Sequence, residues 1–96
     1  VSAVDLTFDA ARATSVDEIN AAIVAAASGR LEGILATTDQ SNVSIDFNHD
    51  PHSAVFHLDQ TRVLEDQLVR VLAWYDNEWA YALRMLDTAG AITRLA

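Results

Sequence analysis

The chain has 96 residues, 51% of them hydrophobic, and a formal net charge of -8, so one packed domain over residues 1–96 is expected. The acidity disfavours nucleic acid and anionic membranes as partners, because their phosphates would repel the chain. There is no cysteine, which excludes disulfides, thiolate metal sites and a cysteine nucleophile among these residues.

The first half of the chain alternates between strand and helix signals. Residues 1–8 alternate in polarity and predict a strand. Ser15-Val16-Asp17-Glu18 is a capping box in which the Ser15 hydroxyl accepts from the Glu18 amide and Glu18 reaches back. Apolar residues then recur at helical spacing, and Gly29 ends this helix as a C-cap. A short apolar run predicts a second strand over residues 33–38.

The second half predicts three strands and a final helix. A polar loop over residues 37–44 and a turn around Pro51 precede a strand over residues 53–58. Residues 62–64 and 68–75 flank Glu65-Asp66-Gln67, which is typical of a hairpin. Asp76 or Asn77 then caps a helix that Gly90 weakens near its end; its apolar stripe consists of Trp79, Leu83, Leu86 and Ala89.

The order β-α-β-β-β-β-α indicates an α+β fold: a two-layer sandwich whose mixed, mainly antiparallel sheet carries two helices on one face. The first strand-helix-strand unit predicts two parallel strands, and the short later connections predict antiparallel ones. The strand over residues 68–75 is apolar on both faces. Since two helices cover only one face, we expect the other face to drive formation of a homodimer.

Three histidines raise the question of a metal site. His49, Asp50 and His52 lie in one turn, and His57 follows on the next strand. Two histidines and a carboxylate could hold zinc, but the spacing around a proline is not a rigid ligand geometry and no fourth ligand is specified. The preferred interpretation is a polar turn in which the side chains of Asp46, Asn48 and Asp50 bond local amides, with no metal.

The other candidate catalytic and binding residues are also better explained by structural roles. The carboxylates of Asp76 and Glu78 suit acid–base work, but helix capping explains them more simply. Arg62 and Arg70 could bind an anion, yet arginines on half-exposed strands usually lie over apolar surface. No serine lies in a nucleophile-elbow motif, and the three glycines lie too far apart to form a phosphate-binding loop.

Several runs resemble the catalytic domain of glyceraldehyde-3-phosphate dehydrogenases, or of the related erythrose-4-phosphate dehydrogenases. The densest match is Leu68-Val69-Arg70-Val71-Leu72-Ala73-Trp74-Tyr75-Asp76-Asn77-Glu78-Trp79. Val1-Ser2-Ala3-Val4-Asp5-Leu6-Thr7, Ala13–Ile23 and Asp46-Phe47-Asn48-His49-Asp50-Pro51-His52-Ser53 follow the family in order. The match covers nearly the whole chain, which has no initiator methionine, so we expect a C-terminal fragment of that domain.

The resemblance implies an NAD-dependent enzyme whose cofactor domain, cysteine nucleophile and general-base histidine all precede this region. It assigns two vestigial cofactor-binding residues here: Asn77, which would contact the nicotinamide carboxamide, and Tyr81, near the nicotinamide ring. Without cysteine, thiohemiacetal chemistry is impossible. We therefore expect that the chain is not an enzyme by itself, that it binds no cofactor, and that it is a structural scaffold. The alternatives are half of an oxidoreductase that needs its missing half, or a module with weak nicotinamide or phosphate affinity.

The positions at which this sequence departs from the family pattern suggest how the chain originated. Ala80-Tyr81-Ala82-Leu83, Glu65-Asp66-Gln67 and Ala36-Thr37-Thr38-Asp39-Gln40-Ser41-Asn42 replace family glycines and apolar residues. Such changes stabilise and solubilise an excised domain, so an engineered fragment is preferred over a divergent natural protein. The first residues contain no basic signal region and no apolar run approaches ~20 residues, which predicts a cytoplasmic parent.

Overall fold

In a computed structural model, which describes residues 1–95, the chain forms a five-stranded sheet and two α-helices. The strands are β1 (Ser2–Asp9), β2 (Leu35–Thr38), β3 (Ala54–His57), β4 (Arg62–Leu64) and β5 (Leu68–Tyr75). The helices are α1 (Val16–Ser28) and α2 (Trp79–Leu95), and 3₁₀ turns occupy Ser44–Phe47 and Leu58–Gln60. The α+β class with a mixed, mainly antiparallel sheet and two helices is confirmed.

The strand order places β5 at the centre of the sheet. The order is β1-β5-β3-β2, and β4 pairs with the first residues of β5. β1, β3 and β4 are antiparallel to β5, and β2 is parallel to β3. β1 and β2 therefore run in the same direction, as the strand-helix-strand pattern predicted, but β5 and β3 lie between them.

The prediction of antiparallel later strands is wrong for β2 and β3. Residues 39–53 form a long connection rather than a tight turn, and this connection contains the first 3₁₀ turn. At its end the amide of Ser53 donates to the carbonyl of Ile34 over 2.7 Å, beside the start of β2. A connection of this length returns the chain to the same end of the sheet, which a parallel neighbour requires.

Only one of the two hydrogen bonds of the predicted capping box forms at the start of α1. The Ser15 hydroxyl accepts from the amide of Glu18 at 3.1 Å, which satisfies one of the free amides of the first turn. The Glu18 carboxylate does not reach back to Ser15. It bonds the Thr14 hydroxyl at 3.2 Å and the Arg12 guanidinium at 2.7 Å, and Arg12 lowers the pKa of this carboxyl.

One polar side chain of α1 bonds the segment between β3 and β4. Asn20 donates to the carbonyl of Leu58 at 3.1 Å and accepts from the hydroxyl of Thr61 at 2.7 Å. Thr61 is 1% exposed, so these bonds satisfy a buried hydroxyl. They join α1 to the second 3₁₀ turn and to the residue that follows it.

The core is small and centred where β3 meets β5. Its buried apolar residues are Phe47, Val55, Phe56, Val69 and Ala80. The ring of Phe47 stacks on that of Trp74 with centroids 5.4 Å apart. The radius of gyration is 15.0 Å, larger than the ~13 Å of a compact chain of about 100 residues.

Helix α2 is the longest element and is largely exposed. It continues through Gly90 to Leu95, beyond the point where the sequence predicted weakening. Ala80 is its only buried residue within the described part of the chain. Tyr81, Leu86 and Ile92 are all more than 60% exposed. No helix in residues 1–95 has the length and apolarity to cross a membrane.

Candidate functional site

Asn77 and Tyr81 lie together where β5 passes into α2. Both are exposed and line a cleft of about 170 Å³, together with Ser53 and Arg84. Their spacing of four residues puts them on one side of the helix start. The structure thus brings together the two residues that the family resemblance singled out, and their cofactor role stays a prediction.

Asp76 is the cap of α2 and the best-satisfied carboxylate of the site. Its Oδ1 accepts from the amides of Glu78 and Trp79 at 3.0 and 2.9 Å. Its Oδ2 accepts from the amide of His49 at 2.8 Å. Capping was the preferred interpretation of this residue, and the first two bonds confirm it. The third bond, to a distant loop, was not expected.

These three amides determine the electrostatics of Asp76. The backbone hydrogen bonds from Trp79, His49 and Glu78 lower its pKa to about 2. An anion that accepts several N–H bonds is favoured in its charged form. Asp76 therefore stays ionised near neutral pH and is a positioning group rather than a proton donor or acceptor.

His49 connects the loop after the first 3₁₀ turn to α2. Its φ of 62° is in the left-handed region, which directs its amide toward Asp76. Its imidazole stacks on the indole of Trp79 with ring centroids 4.4 Å apart. A cleft of about 300 Å³ lies beside this stack and also reaches Val1 and Asn48. The loop and the helix start therefore form one unit.

The side chain of Asn77 is oriented from β1. The Ser2 hydroxyl donates to Asn77 Oδ1 over 3.2 Å. This bond uses the amide oxygen of Asn77 and not its amide nitrogen, which is a donor, and Asn77 lines the cleft that it shares with Tyr81. An amide donor beside an aromatic ring could bind a planar polar group, such as a carboxamide.

The histidines do not assemble into a metal site. Nδ1 of His52 lies 2.8 Å from Asp50 Oδ1, and His57 is buried away from the turn. No three metal-ligating side chains are grouped for an ion among residues 1–95. The polar-turn interpretation fits two of its residues: Asp46 accepts from the amide of Val43, and Asp50 from that of His52.

His57 has a structural role that the sequence did not predict. His57 was placed on the strand after the turn and considered only as a possible metal ligand, but the residue is 4% exposed, and its ring bonds Trp74 Nε1 at 3.1 Å and the Gln40 carbonyl at 2.8 Å. The available signal was its place in an alternating strand, two residues after the buried Val55. A histidine on the buried face of a strand indicates a hydrogen-bonded core residue.

The two strand arginines are engaged within the chain. Arg70 bonds both carboxylate oxygens of Asp5 at 2.9 and 3.1 Å, and the carbonyl of Gln60 at 2.8 Å. Arg62 donates to the carbonyls of Asp59 and Thr61. Neither guanidinium points into the cleft of Asn77, so they do not form an anion site there.

Comparison with known proteins gives one family. The model for the glyceraldehyde 3-phosphate dehydrogenase C-terminal domain matches residues 1–77. Glyceraldehyde-3-phosphate dehydrogenases of Cereibacter sphaeroides and Xanthobacter flavus are 63% and 65% identical to this chain over 95 residues. These matches cover 99% of this chain and 28% of each relative, so the chain spans little more than a quarter of their length. On this identity over nearly all its residues, the chain belongs to the glyceraldehyde-3-phosphate dehydrogenase family.

Proposed function

We propose that the 96-residue chain is a structural module of a glyceraldehyde-3-phosphate dehydrogenase C-terminal domain, without dehydrogenase activity of its own. The observation that carries this proposal is the absence of cysteine from the whole chain. The family resemblance implies covalent catalysis, which needs an activated thiolate as nucleophile. No other side chain can supply that chemistry.

The surroundings of Asn77 and Tyr81 support the same proposal. The nearest carboxylate, Asp76, is held ionised by three amides. His57 has both ring nitrogens engaged in hydrogen bonds elsewhere. A general base must lie within hydrogen-bond reach of the reacting group, and the cleft lining contains no histidine.

The test is an assay of NADH formation from NAD, glyceraldehyde 3-phosphate and phosphate. We expect a rate equal to that of the protein-free blank at the highest chain concentration that stays soluble. The complete Xanthobacter flavus relative, assayed in parallel, shows that the substrates are competent. NADH formation that scales with the concentration of the chain would overturn the proposal.

A second candidate is half of an oxidoreductase that works only with its missing half. It is favoured by the shared cleft of Asn77 and Tyr81 and by the bond from the Ser2 hydroxyl that orients the Asn77 side chain. The test adds, in trans, the remainder of the Xanthobacter flavus relative. Restored NADH formation that falls with Asn77→Ala and survives Asp39→Asn would support this candidate, since Asp39 is exposed and lies outside the cleft.

That the chain arose by redesign stays a prediction, and one structural feature argues against it. Glu65 and Asp66 stand where the family has glycine, and their φ angles are 53° and 63°. Glycine adopts such angles without steric cost, whereas other residues do not. A redesign for stability would have kept glycine here, so this hairpin does not support that hypothesis.

A further inference from the structure

The turn before β3 contains a peptide bond of unusual reactivity. Pro51, the only proline of the chain, directly follows Asp50. An aspartate carboxylate can attack the carbonyl carbon of its own residue and close a five-membered ring. The proline nitrogen is a tertiary amide without a hydrogen, and once it is protonated it leaves more readily than an ordinary amide nitrogen. Such a bond breaks fastest where the carboxylate and a proton donor are both held beside it.

The structure holds the Asp50 carboxylate beside this bond. Its Oδ1 accepts from the amide of His52 at 2.9 Å. This hydrogen bond closes a ring that contains the bond between Asp50 and Pro51, so the carboxylate lies alongside the peptide group that it would attack. Because Oδ1 is engaged, Oδ2 is the oxygen that is available as a nucleophile.

The same contact brings a proton donor to the turn. Nδ1 of the His52 imidazole lies 2.8 Å from Oδ1 of Asp50, and both side chains are half-buried. The imidazole therefore lies on the carboxylate that flanks the Pro51 nitrogen. Histidine is the side chain that most readily gives and takes protons between pH 5 and pH 8.

The turn is anchored at both of its ends. On one side the amide of His49 donates to Asp76 Oδ2 at 2.8 Å. On the other side the amide of Ser53 donates to the carbonyl of Ile34 at 2.7 Å. A nucleophile that is held near its target reacts as if it were present at a very high concentration. The fold therefore supplies an orientation that the unfolded chain lacks.

We propose that the chain cleaves itself between Asp50 and Pro51, with protonated His52 as the general acid. Oδ2 of Asp50 attacks the carbonyl carbon of the same residue, and the C–N bond to Pro51 breaks. The Nδ1 proton of His52 passes to the leaving nitrogen, which becomes an N-terminal amine. Water then hydrolyses the cyclic anhydride, and Asp50 becomes a C-terminal residue with two carboxyl groups. Pro51 is exposed, so water reaches the bond.

The sheet topology predicts that the two pieces stay together after cleavage. Residues 1–50 contain β1 and β2, and residues 51–96 contain β3, β4 and β5. β1 pairs with β5 from Ser2 to Asp9, and β2 pairs with β3 from Leu35 to Thr38. Both pairings join one piece to the other. The product is therefore a two-piece domain that separates only when it is denatured.

The first test follows the purified chain at pH 5, where histidine can carry a proton, by mass spectrometry under denaturing conditions. We expect equal amounts of residues 1–50 and 51–96, from material that still elutes as one species on gel filtration. The same chain in denaturant at the same pH is the control, and it should cleave at least about tenfold more slowly because the orientation is lost. Equal rates in the folded and the unfolded chain, or no cleavage at all, would overturn the proposal.

The second test assigns the two roles with single variants whose folding is checked by circular dichroism. Asp50→Asn removes the carboxylate and should abolish cleavage. His52→Gln keeps a hydrogen-bond donor but has no proton to give, so cleavage should be about tenfold or more slower. Asp39→Asn is the matched control, since Asp39 is exposed and precedes glutamine, and it should cleave at the parental rate. A parental rate in either Asp50→Asn or His52→Gln would contradict the mechanism.

Discussion

The indole N–H of Trp74 donates to Nδ1 of His57 over 3.1 Å, which joins the central strand β5 to β3. The opposite ring nitrogen of His57 lies 2.8 Å from the carbonyl of Gln40, in the loop after β2. This pattern requires the ring proton on Nε2, so that one nitrogen accepts and the other donates. A single imidazole thus connects β5, β3 and the loop that follows β2.

We predict that His57→Phe destabilises the chain by about 1–3 kcal/mol, because the indole N–H and the Gln40 carbonyl lose their partner. Trp74→Phe keeps an aromatic ring beside Phe47 but removes the donor. The double variant should cost about 1 kcal/mol less than the sum of the single changes, because the two side chains interact. Denaturant unfolding of the four proteins measures this difference, and strict additivity would contradict the predicted coupling.

We predict that stability is lost as the pH falls from about 4 to about 2, partly through Asp76. Its folded-state pKa is lowered from 3.8 to about 2, so the folded state binds fewer protons than the unfolded state in this range. Its stabilisation is therefore present above pH 4 and disappears as Asp76 is protonated. Asp5 and Glu18, whose pKa values are also lowered, contribute with the same sign.

The variant Asp76→Asn separates this contribution from the others. It should lower the Tm at pH 7 by roughly 5 °C or more, because a neutral amide caps the helix less well and releases the His49 loop. Its Tm should also fall less steeply between pH 4 and pH 2 than that of the parent chain. Asp39→Asn, at an exposed position, should change neither value. Thermal unfolding followed by circular dichroism supplies both measurements.

We predict that Glu65→Gly stabilises the chain by about 0.5–1 kcal/mol. Glu65 has a φ of 53° in the β4–β5 hairpin, and a residue with a Cβ is strained in the left-handed region. Asp66→Gly should gain less, since aspartate tolerates this region better than glutamate. Denaturant midpoints of both variants test the order, and a loss of stability in Glu65→Gly would contradict the strain.

We predict no measurable NAD binding by the isolated chain. One neutral hydrogen bond from Asn77 supplies about 0.5–1.5 kcal/mol, whereas even millimolar affinity needs about 4 kcal/mol. Calorimetric titration with NAD should therefore show dilution heats alone, for the parent chain and for Asn77→Ala. Micromolar affinity that disappears in Asn77→Ala would revive the interpretation as a nicotinamide-binding module.

The local elements follow from the sequence because short-range signals determine them. The helix-capping bonds of Ser15 and Asp76 reach only two or three residues along the chain. The β4–β5 hairpin depends on three turn residues, alternation locates β1, and a run that is apolar on both faces locates β5. Asn77 and Tyr81 are four residues apart, so a helix start was enough to bring them together.

The tertiary structure decided the contacts that join distant residues. The parallel pairing of β2 and β3, the bond from the His49 amide to Asp76, and the burial of His57 depend on how residues 39–53 cross over, and no local pattern encodes that path. It also decided that β1 has one neighbour and that α2 buries only Ala80 within the described residues. Periodicity shows which side chains of an element are apolar, but the positions of the other elements determine which of them are covered.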